Sequence, residues 1–395
     1  MPATSLRNDL QSVIADEARR IDAGLVAIRR DLHAHPELGF EEVRTAGVVA
    51  RELSRLGIPH QTGVGGTGVV GVIVGGRPGP TLALRADMDA LPIQEQTGLD
   101  FASTTPGLMH ACGHDIHTST LLGVAAVLTR LAPQLRGTVK LLFQPAEEKG
   151  AGAAAMIADG VIEGVDFAIG FHNYPNRPVG RFSYCRGASL ASVDTFIITV
   201  NGRSGHAAHP DDAIDPIVAA AQLVGQMQTV VSRELNPVHP AVVTVGAIHG
   251  GTASNIIPDS CTLRGTVRTL HTESRDLAER AIRRLCAGML EGMRVRVEVD
   301  YRRGVPPLFN DDGMVDRGVA SVRAQLGDVV ALGDPSLGGE DFALMAALVP
   351  AFHLGVGSGA PGRADKLHNS GYQPDEACIG FGVQALSRAA ADLLA

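Results

Sequence analysis

VDTFIITV (193–200), AIDPIVAAAQLVGQMQTVVSREL (213–235), AVVTVGAIHG (241–250), SCTLRGTVRTL (260–270), ESRDLAERAIRRLCAGML (273–290) and MRVRVEVDY (293–301) follow one another in a single stretch. They read as strand, helix, strand, strand, helix and strand. The order β-α-β-β-α-β is the ferredoxin-like split unit, about one small domain long and complete within itself.

Outward from this unit the pattern changes. VVGVIVGG (69–76), TLALRAD (81–87), TVKLLFQ (138–144) and DFAIGFH (166–172) are short and apolar on both parities, as strands buried on both faces are. HTSTLLGVAAVLTRL (117–131) and the Ala-rich EKGAGAAAMIADG (148–160) read as helices between them. Upstream, residues 5–30 and TAGVVARELSRLG (45–57) read as helices, the second closed by glycine. Downstream, EDFALMAALV (340–349) reads as a helix, AFHLGVG (351–357) as a strand, and the chain closes on an amphipathic helix. This alternation predicts an α/β domain with a mostly parallel sheet, residues 1–188 and 302–395, interrupted by a ferredoxin-like (βαββαβ) insertion at 189–301. A length of 395 residues suits two domains. The glycine-rich stretch 63–76 reads as a loop entering a strand.

The formal charge of −8 and the lack of a long basic run argue against nucleic acid or an anionic membrane as partner. The first twenty residues carry charge throughout, and no stretch approaches the roughly 18 uncharged apolar residues of a membrane span, so a cytoplasmic protein is expected. Five cysteines at scattered spacing make a poor disulfide framework and suit a reducing compartment.

Candidate ligands for a metal fall at the ends of the predicted strands. Asp87 and Asp89 lie at the end of TLALRAD and just past it, Glu147 and Glu148 follow TVKLLFQPA, His172 ends DFAIGFH, and His368 lies beyond AFHLGVG. In open α/β sheets the carboxyl ends of the strands form the binding crevice, so residues distant in sequence converge there. MHACGHDIH (109–117) sets Cys112 and His114 two apart on a turn before a helix, offering thiolate and imidazole to one metal region. A lone Cys is more often a small core hydrophobe, but this one lies in a polar loop of Gly, His and Asp. Adjacent Glu147 and Glu148 point in different directions, so one can bind metal while the other acts as general base toward a metal-activated water. An acidic first helical turn is the bland alternative for such a pair. Asp89 suits a carboxylate that orients a ligand or the base, with a turn or helix cap as its rival. In the inserted unit, His206 of GRSGHAAHP (202–210) could donate to a tetrahedral oxyanion, and Asn255 and Arg268 could hold a substrate carboxylate.

With these residues in view, the sequence resembles the co-catalytic metallopeptidase and aminoacylase family, in its amidohydrolase branch of hippurate hydrolases, indoleacetyl-amino-acid hydrolases and N-acetyl-diaminopimelate deacetylases. RRDLHAHPELGFEE, LRADMDALPI, MHACGHDIHTSTLLG, LLFQPAEEKGAGA, GFHNYP, GRSGHAAHP, GGTASNIIPDS, GTVRTL, GGEDFA and LHNSGY carry the resemblance in order along nearly the whole chain. It implies a metallopeptidase catalytic domain with a lid and dimerisation domain, and two divalent ions (Mn, Zn, Ni or Co) held by Cys112, His114, Glu148, His172 and His368, Cys112 bridging. It also implies Glu147 as general base, Asp89 supporting the metal site, His206 as oxyanion donor, and Asn255 and Arg268 gripping the substrate carboxylate. The expected substrate is an N-acyl amino acid and the expected state a homodimer. LHNSGYQPDE departs from the more usual tyrosine-aspartate-phenylalanine stretch after the last His, and Ser204 stands where glycine is frequent; neither touches a metal ligand. A Cys112 nucleophile with His114 as base, a non-catalytic binding protein, and a carboxypeptidase or dipeptidase sharing the chemistry are the alternatives.

Overall fold

The computed structural model describes residues 3–395. The chain divides into two compact units, one comprising the chain up to Gly187 with Phe309–Asp334 and Leu344–Ala395, the other Ala188–Leu308 with Pro335–Ala343. The segment Pro335–Ala343, assigned to the large domain on sequence order alone, thus clusters with the small one. The Ala191 N–H donates to the Gly338 carbonyl, and the Ser336 N–H to the Ser189 carbonyl.

The first unit is built on β1 (His60–Val64), β2 (Gly68–Val74), β3 (Arg77–Asp87), β4 (Arg136–Gln144), β5 (Phe167–Pro178), β6 (Phe182–Tyr184), β15 (Val330–Leu332) and β16 (Ala351–Gly359). Their order in one sheet is β1-β2-β4-β3-β5-β16-β6-β15. The centre, β4-β3-β5-β16, is parallel, and antiparallel pairs occur only toward the edges. This is the expected α/β fold with a mostly parallel sheet. Leu82, Leu84, Leu141, Phe143, Ile169 and Phe352 are buried in its core, as the two-sided apolar runs require. Around it lie α1 (Ala3–Ala34), α2 (Val43–Arg55), α3 (His114–Leu131), α4 (Gly152–Ala158), α7 (Asp312–Leu326) and α9 (Ala377–Leu393). The α3 helix is buried over almost its whole surface because it packs against α1, α9 and the sheet.

The second unit runs β8 (Ser192–Asn201), α5 (Pro216–Thr229), β10 (Ala241–Gly250), β12 (Ser260–Thr269), α6 (Thr272–Met293) and β13 (Arg296–Arg303). The sheet order β10-β12-β8-β13, antiparallel throughout, is that of the ferredoxin-like unit. Phe196, Ile198, Val200, Leu263 and Val267 pack with Leu223, Met227, Ile282 and Met289 of the two helices. Asp215 caps α5 by accepting from the Ile217 and Val218 N–H groups, with Pro216 at the first helical position. Short strands β9 (Gly205–His206) and β11 (Ile256–Ile257) pair beside it, and β7 (Gly187–Leu190) and β14 (Leu308–Asn310) complete the set. Among the described residues no helix is long and apolar enough to cross a membrane.

Two readings are corrected. The predicted helix at 340–349 shrinks to one turn, α8 (Ala343–Ala346), and Glu340, Asp341 and Phe342 before it are buried in non-helical backbone. The Ala-rich helix after Glu148 begins only at Gly152, so both glutamates sit in a tight turn closed by Gly150 N–H to the Glu147 carbonyl.

Under the α3 N-terminus the pKa values of two buried histidines are pushed in opposite directions. Both nitrogens of His33 face carboxylates, Asp115 at 2.8 Å and Glu95 at 3.2 Å. Burial opposes the imidazolium, but these partners hold its pKa above the ordinary value. His110, with no hydrogen-bond partner at either nitrogen, is pushed down to about 4 by burial. The sign of each effect follows by linkage. Below pH 6.5 the unfolded chain binds a proton at residue 110 that the folded chain refuses, so stability falls as the pH drops from 6.5 toward 4, by about 3 kcal/mol in all. The His33 contribution is complete below 6.5 and is lost as the pH rises through its raised pKa. Urea unfolding with chelator present, at about pH 5, 6.5 and 8, should therefore show the acid limb flattened in His110→Leu and the alkaline limb flattened in His33→Gln. Parallel pH profiles for wild type and both variants would remove this account.

Candidate metal centre

Five chain segments meet at the carboxyl ends of β3 and β4 and beside the middle of β5. Asp87 ends β3 and Asp89 follows it, Glu147 and Glu148 follow β4, and Cys112–Gly113–His114 forms the turn into α3. His172 was expected to end its strand. It lies within β5, which continues to Pro178 because β16 pairs alongside as far as Gly359. His114 was expected on a non-helical turn and instead opens α3, directly after Gly113 at φ 90°. A Cβ at residue 113 would lie 2.8 Å from the Tyr372 hydroxyl and closer still to the Asn173 amide, so only glycine fits this bend.

Cys112 Sγ is 3.3 Å from His172 Nε2. His368 Nε2 is 3.3 Å, and His114 Nε2 4.0 Å, from Glu148 Oε1. The ligand atoms of Cys112, His114 and His172 lie within 4.8 Å of one another, and so do those of Cys112, Glu148 and His368. Cys112 belongs to both groups. The structure therefore brings together all five residues read as ligands, with Glu147 beside them in a third group with His114 and Glu148.

The donor atoms are aimed. His172 Nδ1–H donates to the Asn173 carbonyl at 2.7 Å, which leaves the Nε2 lone pair facing Cys112. His114 Nδ1–H donates to Asp89 Oδ1 at 3.2 Å, and the fully buried Nε2 has no hydrogen-bond partner. An orphaned imidazole nitrogen beside a thiol, a carboxylate and two further imidazoles is the donor set of a transition-metal ion, so the residues fit one. Asp89 also accepts the Glu147 and Glu148 N–H groups at 3.1 and 3.0 Å, fixing both glutamates to the turn. Two non-glycine residues of the site occupy the left-handed region: Ala146, φ 51°, its N–H held by Glu42, and His368, φ 58°, its N–H held by the Ala111 carbonyl. Such strain persists only where the surroundings over-determine it.

Burial pushes the Cys112 thiol well up, with His114 only partly opposing it. Burial also works against charge on His114 and Glu148. The Asp87 carboxylate nonetheless holds His114 well above its usual value, and His368 and His114 hold the Glu148 carboxyl below the usual range. A cation entering here would displace the thiol and imidazole protons.

Residues 83–392 match the peptidase family M20/M25/M40. The chain belongs to that family. It is 40% identical to N-acetylcysteine deacetylase of Bacillus subtilis over 360 residues, 90% of this chain and 93% of the relative. It is 43% identical to hippurate hydrolase of Campylobacter jejuni over 291 residues, 73% of this chain and 76% of that one. A dinuclear metal binding peptidase of the M20 family from Bacillus subtilis superposes with TM-score 0.86 at 37% identity, covering 95% of this chain and 99% of the other. The M20 protein is thus a metal-dependent hydrolase of amides.

His206, Asn255 and Arg268 belong to the second unit of this M20 enzyme. Strand pairing places His206 opposite Ile256, and the Ala207 N–H donates to the Asn255 carbonyl at 3.0 Å. Arg268 lies on β12 between Val193 and Val242, and among the described residues no ion pair joins it to a carboxylate. Sequence reasoning passed over His117, which donates from Nδ1 to Asp87 at 2.5 Å and accepts the Asn173 N–H on Nε2 at 2.9 Å. With both nitrogens engaged it is a support and not a ligand, although Asp87, His114 and His117 cluster tightly enough to suggest a site. Its place three residues after His114, on the same side of α3, was the available signal.

Proposed function

We propose that this enzyme hydrolyses the amide bond of N-acyl amino acids, hippurate-like, N-acetyl or indoleacetyl, at a two-cation centre of Cys112, His114, Glu148, His172 and His368. The observation that carries the reading is the membership of Cys112 in both ligand groups, which would let its thiolate serve both cations. Divalent cations, of Mn, Zn, Ni or Co, supply the Lewis acidity that polarises the scissile carbonyl and acidifies the attacking water. Glu147, anchored through its N–H to Asp89, takes the proton of that water and returns it to the leaving nitrogen. His206 accepts the Ala208 N–H on Nδ1 at 3.0 Å, which puts its own proton on Nε2, the state an oxyanion donor needs. Arg268, half-buried and without a carboxylate of its own, suits the substrate carboxylate, with Asn255 as a second donor. Exposed Ile217, Val218, Ile248 and Ile256 in the small unit support the homodimer expected from the resemblance.

The test is turnover of hippurate, N-acetylated amino acids including N-acetylcysteine, and indoleacetyl-amino acids, before and after chelation and on return of each metal. Loss with chelator and recovery with metal is the expected result. Full activity in the chelated enzyme would overturn the proposal and make a Cys112 nucleophile the leading mechanism.

A further inference from the structure

One buried polar side chain that meets several segments of the site belongs to a residue given no role above. Asn173 is fully buried, directly after His172. Its Nδ2 donates to the Cys112 carbonyl at 2.8 Å and to His117 Nε2 at 2.9 Å. Its Oδ1 accepts from the Ser358 hydroxyl at 2.9 Å and from the Tyr372 hydroxyl. One amide proton goes to the Cys112 carbonyl, the other shares the single His117 Nε2 lone pair with the Asn173 N–H, and the oxygen accepts from two hydroxyls. Its backbone takes part as well: the carbonyl fixes the His172 ring and the N–H meets His117.

The partners belong to every segment that carries a ligand except the glutamate turn. Cys112 is held by its own carbonyl, His172 by the neighbouring one, and His114 lies one helical turn before His117. The His368 loop returns through Tyr372, whose N–H is bound to the Asn369 carbonyl at 3.0 Å. Gly113 leaves room for this convergence, since a Cβ there would collide with the Asn173 amide. If packing alone were required, an apolar side chain of equal size would serve without the desolvation of four polar partners. An aspartate would keep the acceptors, lose both donors and set a carboxylate against the Cys112 carbonyl. A glutamine is one methylene too long for a cavity bounded by Gly113.

We infer that Asn173 is a positioning residue that fixes the shared thiolate of Cys112 relative to His172 and the His368 loop. The role rests on the two-cation reading and goes beyond it, because it assigns the site's geometry to a side chain that touches neither cation nor substrate. Its removal acts on ligand placement, and so on metal affinity and on kcat, while KM stays nearly constant because Asn173 touches no substrate.

The experiment uses the full-length chain loaded with cobalt(II), whose sulfur-to-metal charge-transfer absorption reports the Cys112–metal bond directly. Cobalt titrations and spectra are recorded for wild type, Asn173→Leu, Asn173→Asp, Tyr372→Phe and Ser358→Ala, with melting of the metal-free proteins in parallel. Asn173→Leu is expected to weaken cobalt binding about 10- to 100-fold and to shift or weaken the thiolate band, with kcat lowered and KM within about twofold. The two single-bond variants should show smaller changes of the same kind in folded protein. A folded Asn173→Leu with the wild-type affinity and spectrum overturns the inference. Should that variant fail to fold, wild-type spectra in both Tyr372→Phe and Ser358→Ala overturn it instead. A wild type that binds no cobalt sinks the two-cation reading and this role with it, whereas a wild type that binds two equivalents leaves the first standing and isolates the second.

Discussion

Glu147→Gln is expected to lower kcat on the best substrate of the panel about a thousandfold while leaving the metal content at its wild-type value. The magnitude is that of a general base whose proton transfer is lost, typically 10²- to 10⁴-fold. The separation of effects comes from the turn. Asp89 holds both glutamates by their N–H groups, so the substitution leaves the backbone of the site in place. Glu148 faces His368 and His114. Glu148→Gln should accordingly lose metal as well as activity. Metal analysis after dialysis, set beside kcat, distinguishes the two. Near-normal turnover by Glu147→Gln, or equal metal loss in both variants, would contradict the division of labour proposed for the pair.

Residue types and spacing made that division a choice between two glutamates, and the family resemblance assigned Glu147 as base and Glu148 as ligand. The strands TLALRAD and TVKLLFQ announced themselves because burial on both faces puts apolar side chains on both parities, and Asp87, Asp89 and the two glutamates could be found because they sit where those strands stop. The end of β5 could not be found in this way. His172 lies inside the strand, and the polar NYPNRP that follows is kept extended by its pairing with β16, a tertiary contact some 180 residues away in sequence. The supports were hidden for a related reason. Asp115 is far from Arg29 and His33 in the sequence, and only the packing of α1 on α3 makes the three a buried network. Asn173 was noticed only as the neighbour of a histidine; its four partners come from residues 112, 117, 358 and 372.

Arg29→Met is expected to destabilise the first unit by about 3–5 kcal/mol, the largest loss anticipated for any single change outside the hydrophobic core. Arg29 is 1% exposed and its Nε meets Asp115 Oδ2 at 2.8 Å; Asp115 is wholly buried. Removing the guanidinium strands that carboxylate against the burial that disfavours its charge, without the group that chiefly holds its pKa low and with His33 as its remaining partner. Arg30, one residue on, supplies the control. It shares Glu376 with Arg29 but is 49% exposed, so Arg30→Met should cost less than about 1 kcal/mol despite the shorter 2.6 Å contact. Urea unfolding of the two variants, with chelator present, measures the difference; equal losses would mean that burial does not set the strength of this network. The double variant Arg29→Met with Asp115→Leu should be more stable than Arg29→Met alone, since it removes the stranded carboxylate and leaves His33 paired with Glu95. Because Asp115 immediately follows His114, the same single variant should also bind cobalt more weakly. The ion pair beneath α3 then serves stability and ligand placement through one carboxylate, and the double variant separates the two by recovering the first without the second.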